Sequence, residues 1–178
     1  MKIFFLFLTM FFFFNCSEKT PHEIASSDQL EYSFEHILSY NNEDTIFIKS
    51  QFPDCGEWGG HEELIKIYRF EKKINLDYEK FKVDCGVRDS SGSIVQTKKI
   101  SDKIVLSNVQ QSALMKYINN LIKFKFLNSA ISNSGNFFIL NNTKEDLMIS
   151  HYGNQPMLVS NYNDLMTALK LPKVDTER

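Results

Sequence analysis

The sequence predicts an α+β domain on a mainly antiparallel sheet of about five to seven strands, with one long amphipathic helix at about 108–125 and a short C-terminal helix at about 161–170. Three observations predict it. Short β-branched and aromatic runs recur between Thr45 and Ser150, several alternating apolar with polar residues. The 3.6-residue period appears only in isolated stretches, not regularly between strands, which argues against repeated βαβ units. Turn-rich connections join successive strand candidates closely enough for hairpins.

In chain order, Asp28–Tyr40 fits both a helical stripe (Leu30, Phe34, Ile37, Leu38) and most of a strand alternation. Ser27 or Asp28 as a cap and the Asn41-Asn42 terminator predict a helix. Thr45–Ile48 reads as a strand closed by Pro53. Glu63–Glu71 and Leu76–Cys85 form a hairpin across Lys72-Lys73-Ile74-Asn75, and the parity change between Tyr78 and Phe81 predicts a bulge near Glu79 or Lys80. Two short strands, Ile94–Thr97 and Ile104–Leu106, come next. Ser107 or Asn108 caps a helix whose Leu114, Tyr117, Ile118, Leu121 and Ile122 share a face. Asn136–Leu140 and Leu147–Ser150 make a second hairpin across a polar turn. A closing helix, Tyr162 to about Lys170, is capped at Ser160 or Asn161, buries Leu165, Met166 and Leu169, and stops before Pro172.

The chain has 178 residues, 20 basic against 22 acidic, for a net charge of −2. No excess of positive charge is present to grip a phosphate backbone, so nucleic acid is not an expected partner. Of the 16 phenylalanines, seven fall in residues 1–15. There, Lys2 precedes an apolar run from Ile3 to Phe14 broken only by Thr9, much shorter than the roughly 20 residues of a membrane-spanning helix. A basic start and a short apolar core describe a secretory signal peptide. Cys16 follows at once, and then the polar stretch Ser17-Glu18-Lys19-Thr20-Pro21.

This segment resembles the signal peptide and lipobox of bacterial lipoproteins, in a non-standard form with Phe13, Phe14 and Asn15 where leucine and small residues are usual. The resemblance covers only the first twenty or so residues. It implies cleavage before Cys16, acylation of its thiol and of the new N-terminus, and anchorage in the cell envelope, with the outer membrane of a Gram-negative bacterium as the expected membrane. Several acyl chains, at about 0.8 kcal/mol per buried methylene, make such a tether effectively permanent. The expected organisation is a signal peptide at 1–15, a lipidated cysteine and flexible tether at 16–27, and a single globular domain at 28–178.

One segment concentrates unusual residues: Asp54-Cys55-Gly56-Glu57-Trp58-Gly59-Gly60-His61-Glu62-Glu63 holds three of the seven glycines and the one tryptophan. In an exported protein whose Cys16 is committed to lipid, Cys55 and Cys85 are expected to pair, a crosslink stabilising by roughly 3–4 kcal/mol in the chain-entropy model. A metal set of Cys55, His61 and Cys85, with His151 or Glu62 as a fourth ligand, is the sharper alternative, but its spacing matches no zinc signature. Trp58 is read first as a plug over the disulfide and second as a binding platform. Glu57, Glu62 and Glu63 offer carboxylates for an acid–base pair, but charged residues edging a strand are expected on a solvated rim. His36 and His151 are read as structural, and Lys98, Lys99, Lys123 and Lys125 as solvated.

No nucleophile elbow, phosphate-cradling loop or dinucleotide fingerprint occurs, so no cofactor, metal or catalytic residue is expected. The function expected by elimination is non-catalytic: binding or envelope-structural work, with Glu57, Trp58, His61 and Glu62 as a candidate binding loop for a protein, peptide or glycan. The rival is a small envelope hydrolase, or a zinc-dependent enzyme, using the Cys55–His61 loop. That reading requires His61, a glutamate and a further polar group to converge in a pocket.

Overall fold

The structure, a computed structural model, describes residues 44–127 and 133–175. The expected signal peptide, lipobox, tether and 28–40 helix lie outside the described residues, as does His36. Six strands form one antiparallel sheet: β1 (Thr45–Gln51), β2 (Glu62–Phe70), β3 (Lys73–Arg88), β4 (Ile94–Val105), β5 (Asn136–Asn142) and β6 (Met148–Gly153). Their order across the sheet is β4-β3-β2-β1-β5-β6. Among the described residues two α-helices, α1 (Asn108–Phe124) and α2 (Pro156–Leu169), complete the α+β architecture.

Alternation sets which face carries the core. Ile46 and Ile48 on β1 sit opposite Ile67 and Ile65 on β2, which in turn oppose Leu76 and Tyr78 on β3. All six side chains are essentially inaccessible, and with Phe138 and Leu140 of β5 they pave one face of the sheet. Onto it pack Leu114, Tyr117, Ile118 and Leu121 of α1 and Leu158, Tyr162, Leu165, Met166 and Leu169 of α2. Successive residues point to opposite faces. The odd-numbered positions of β1 and the even-numbered ones of β2 therefore turn to the other side, the open face.

The helices are also tied by polar contacts. Asn161, buried in α2, donates to the Tyr117 carbonyl at 3.1 Å and accepts from Asn120 at 2.8 Å. His151 of β6 meets the Leu121 carbonyl at 2.8 Å, the structural role expected of it. Its burial lowers its pKa from the ordinary value.

Ser107 caps α1 in a reciprocal capping box with Gln110, and the bulge falls between Lys80 and Phe81, both as expected. Other boundaries differ from expectation for identifiable reasons. The two short strands expected at 94–97 and 104–106 are one continuous β4, whose exposed edge position removes the apolar alternation and leaves Lys98, Lys99, Asp102 and Lys103 as edge charges. The closing helix starts at Pro156, not near 161, because proline at the first helical position lacks only an N–H that would have no partner there. Leu121, fully buried beneath this layer, tests the packing: Leu121→Ala should lower unfolding free energy by about 2–5 kcal/mol in chemical denaturation, against little change for exposed Val109→Ala.

Candidate functional site

The connection from β1 to β2 is the glycine-rich segment, and it closes on itself. Phe52 N–H donates to the His61 carbonyl at 3.0 Å across its base, and Cys55 N–H to Gly59 at 2.8 Å. Between them Gly56–Trp58 make one 3₁₀ turn. Gly59 has φ of 93°, a conformation that L side chains rarely adopt. At Gly60 a Cβ would lie 1.9 Å from the Phe52 carbonyl oxygen, so only glycine allows the two arms to approach.

The inner side of this loop enters a buried polar network. Glu63 is wholly inaccessible, contrary to the solvated rim expected for it. Its Oε2 accepts from the Tyr78 hydroxyl at 2.9 Å and the Tyr162 hydroxyl at 2.7 Å. Its Oε1 accepts from Lys80 Nζ at 2.6 Å and His61 Nε2 at 3.2 Å. His61 Nδ1 bonds in turn to the Asp54 carboxylate, which also accepts the His61 backbone N–H at 3.0 Å. Phe52, buried beside them, stacks on the imidazole with ring centroids 5.1 Å apart.

Electrostatics follow from these contacts. Burial pushes the His61 pKa down, but hydrogen bonds to Glu63 and Asp54 outweigh it and the net shift is upward. Burial pushes the Glu63 pKa up, but His61, Lys80 and Tyr162 hold the carboxylate below its ordinary range. A doubly donating imidazolium between two carboxylates, with Lys80 as the second cation, balances the buried charge locally. Tyr78 and Tyr162 are pushed far up, first by burial and then by the Glu63 charge, and serve as hydroxyl donors.

The outer side of the loop meets the tip of the β3–β4 ribbon. Cys55 and Cys85 form the expected disulfide, with Cα atoms 5.4 Å apart. That bond takes both sulfurs out of the metal set considered from sequence, and among the described residues no group of three or more histidines, cysteines and carboxylates could hold a metal ion. Gln96 of β4 adds two ties, accepting from Glu62 N–H at 3.2 Å and donating to the Gly60 carbonyl at 3.0 Å. Arg88 lies over the Trp58 ring at 5.0 Å and donates to the Gly92 carbonyl at 2.8 Å.

Trp58 is 70% exposed, so it does not plug the disulfide. Flanked by glycine and glutamate, it has no apolar neighbour in sequence to draw it inward. Between loop and ribbon tip lies an open groove of about 590 Å³, lined by Gln51, Trp58, Glu62, Arg88 and Gln96 among others. Of the expected binding loop, Trp58 and Glu62 line this groove, Glu57 is exposed, and His61 turns inward to the network. Gln51, Arg88 and Gln96 were not singled out from sequence. They come from β1 and the ribbon tip, and only strand pairing and the disulfide bring them to the loop.

No protein-family model, curated protein or solved structure matches the chain.

The network carries a pH signature whose sign follows from its two shifted groups. With its folded pKa raised above 6.5, His61 contributes stability that is present below that value and is lost as pH rises through the folded pKa. With its folded pKa lowered below 4.5, Glu63 contributes stability present above that value and lost as pH falls through the folded pKa. Thermal melts across pH should therefore peak between these two limits, and His61→Phe should flatten the alkaline limb. Glu63→Leu, which strands His61 and Lys80, should cost about 3–5 kcal/mol. A melting profile identical to wild type in either variant would mean the network does not hold the loop.

Proposed function

We propose that this chain is a lipid-anchored protein of the bacterial cell envelope, in the outer membrane of a Gram-negative cell, and that its domain works by non-catalytic binding through the groove beside Trp58. The anchor reading rests on Lys2, the Ile3–Phe14 run and Cys16 in the manner of bacterial lipoproteins. A disulfide in the domain is consistent with folding in an oxidising, exported setting.

The observation that carries the binding reading is the presentation of Trp58. A large aromatic side chain left 70% exposed forgoes the stabilisation of burial, yet its backbone is fixed by a disulfide, a glycine turn and the two Gln96 hydrogen bonds. Glu62 and Gln51, which also line the groove, make no side-chain hydrogen bond or ion pair among the described residues. An aromatic surface beside unengaged polar groups on a rigid support is the composition of a recognition surface.

The convergence of His61, Glu63 and Lys80 favours a hydrolase as the second reading. However, Glu63 already accepts four hydrogen bonds, and the groove is lined by Glu62 and not by His61. A catalytic glutamate needs an oxygen that can face substrate or water. The network thus fits a pin better than an acid–base pair.

Two measurements on the full-length protein in its cells test the proposal. Intact mass should show loss of residues 1–15 and addition of acyl chains at Cys16; a mature protein that retains Met1 would remove the anchor reading. Trp58→Ala should melt within about 0.5 kcal/mol of wild type, as exposed sites do. It should nevertheless lose association with envelope material after detergent has dissolved the lipid anchor. Equal retention of both proteins would remove the binding reading.

A further inference from the structure

Strand register extends the groove. Gln51 is opposite Glu62 on β2 and Phe137 on β5, and Phe137 is opposite Tyr152 on β6. These four residues share the open face and form one row across the strands, beginning in the groove that Trp58 lines. Phe137 and Tyr152 meet edge to face at 6.4 Å, and Tyr152 is 45% exposed. Aromatic surfaces thus stand at both ends of the row, with a carboxylate and a carboxamide between them.

We propose that this row is a binding track for an uncharged linear glycan, an inference that rests on the binding reading above and names its ligand class. A pyranose ring offers an apolar C–H face to an aromatic ring and hydroxyls at its rim. Trp58, Phe137 and Tyr152 supply the first kind of partner, and Gln51 and the Glu62 carboxylate supply the second. Adjacent strands lie about 4.8 Å apart, close to the length of one pyranose unit, so each strand crossed meets the next sugar.

Charge narrows the class further. Glu62 and Asp89, the latter already engaged by Ser91 and Ser93, set two carboxylates against the single Arg88 in the groove lining, an excess of negative charge that disfavours a polyanion. An uncharged chain of hydroxyl-bearing rings avoids that cost.

Trp58 is the one tryptophan of the chain, so its fluorescence reports on this site directly. Full-length protein in detergent is titrated with chitohexaose, cellohexaose and maltohexaose, with a hyaluronan oligosaccharide as the acidic comparison and a pool of unstructured peptides as the non-glycan comparison. The expected result is a saturable Trp58 response to at least one uncharged hexasaccharide, stronger than to hyaluronan, and weakened about tenfold in Tyr152→Ala at an unchanged melting temperature. A Tyr152→Ala response equal to wild type would overturn the track. Stronger binding of hyaluronan would overturn the choice of an uncharged ligand. A response to peptides alone would overturn the glycan inference while leaving the binding reading in place, and no response to any probe would count against both.

Discussion

The rest of the structure depends on one buried carboxylate. Glu63 receives donors from the β1–β2 loop through His61, from β3 through Tyr78 and Lys80, and from the C-terminal helix through Tyr162. A lone ionised carboxylate in such a place would cost several kcal/mol. What offsets that cost is an ordered set of donors that exists only when all three elements are seated together. The network is therefore a registration device as much as a stabilising one. A slip of β2 by one residue would bring Glu62 to the core face and strand every donor.

The same alternation links the core to the groove. Because Glu63 is held inward, Glu62 is directed to the open face beside Gln51, and because His61 is held inward, the glycine turn before it projects Trp58 outward. The disulfide and Gln96 then fix the ribbon tip against this turn. The interior chemistry is consumed in positioning, and the polar side chains left unengaged, Glu62 and Gln51, stand on the surface beside the exposed Trp58.

Much of the fold was legible in the sequence because its signals are local. The Ser107 cap, the bulge after Lys80, both hairpins and the Cys55–Cys85 pairing follow from spacing, turn chemistry and cysteine count. β4 shows in the sequence only as two fragments because an edge strand needs no apolar alternation, and the start of α2 is hidden because Pro156 breaks the helical pattern everywhere except in a first turn. Glu63 is the instructive case. It shares parity with Ile65 and Ile67, which marks it for the core face, but its charge argued for solvent, and its rescuing partners lie as far away as Tyr162. The groove was half legible: the loop stood out by composition, whereas Arg88 and Gln96 reach it only through pairing of distant strands.

The central claim is that His61 is a charged, doubly bonded clamp between Asp54 and Glu63, and ring-selective NMR titration tests it most directly. The account predicts that the His61 ring titrates above 6.5, while His151, donating to a carbonyl and partly buried, titrates below it. A His61 ring that titrates at or below His151 would contradict the clamp and with it the positioning of the groove.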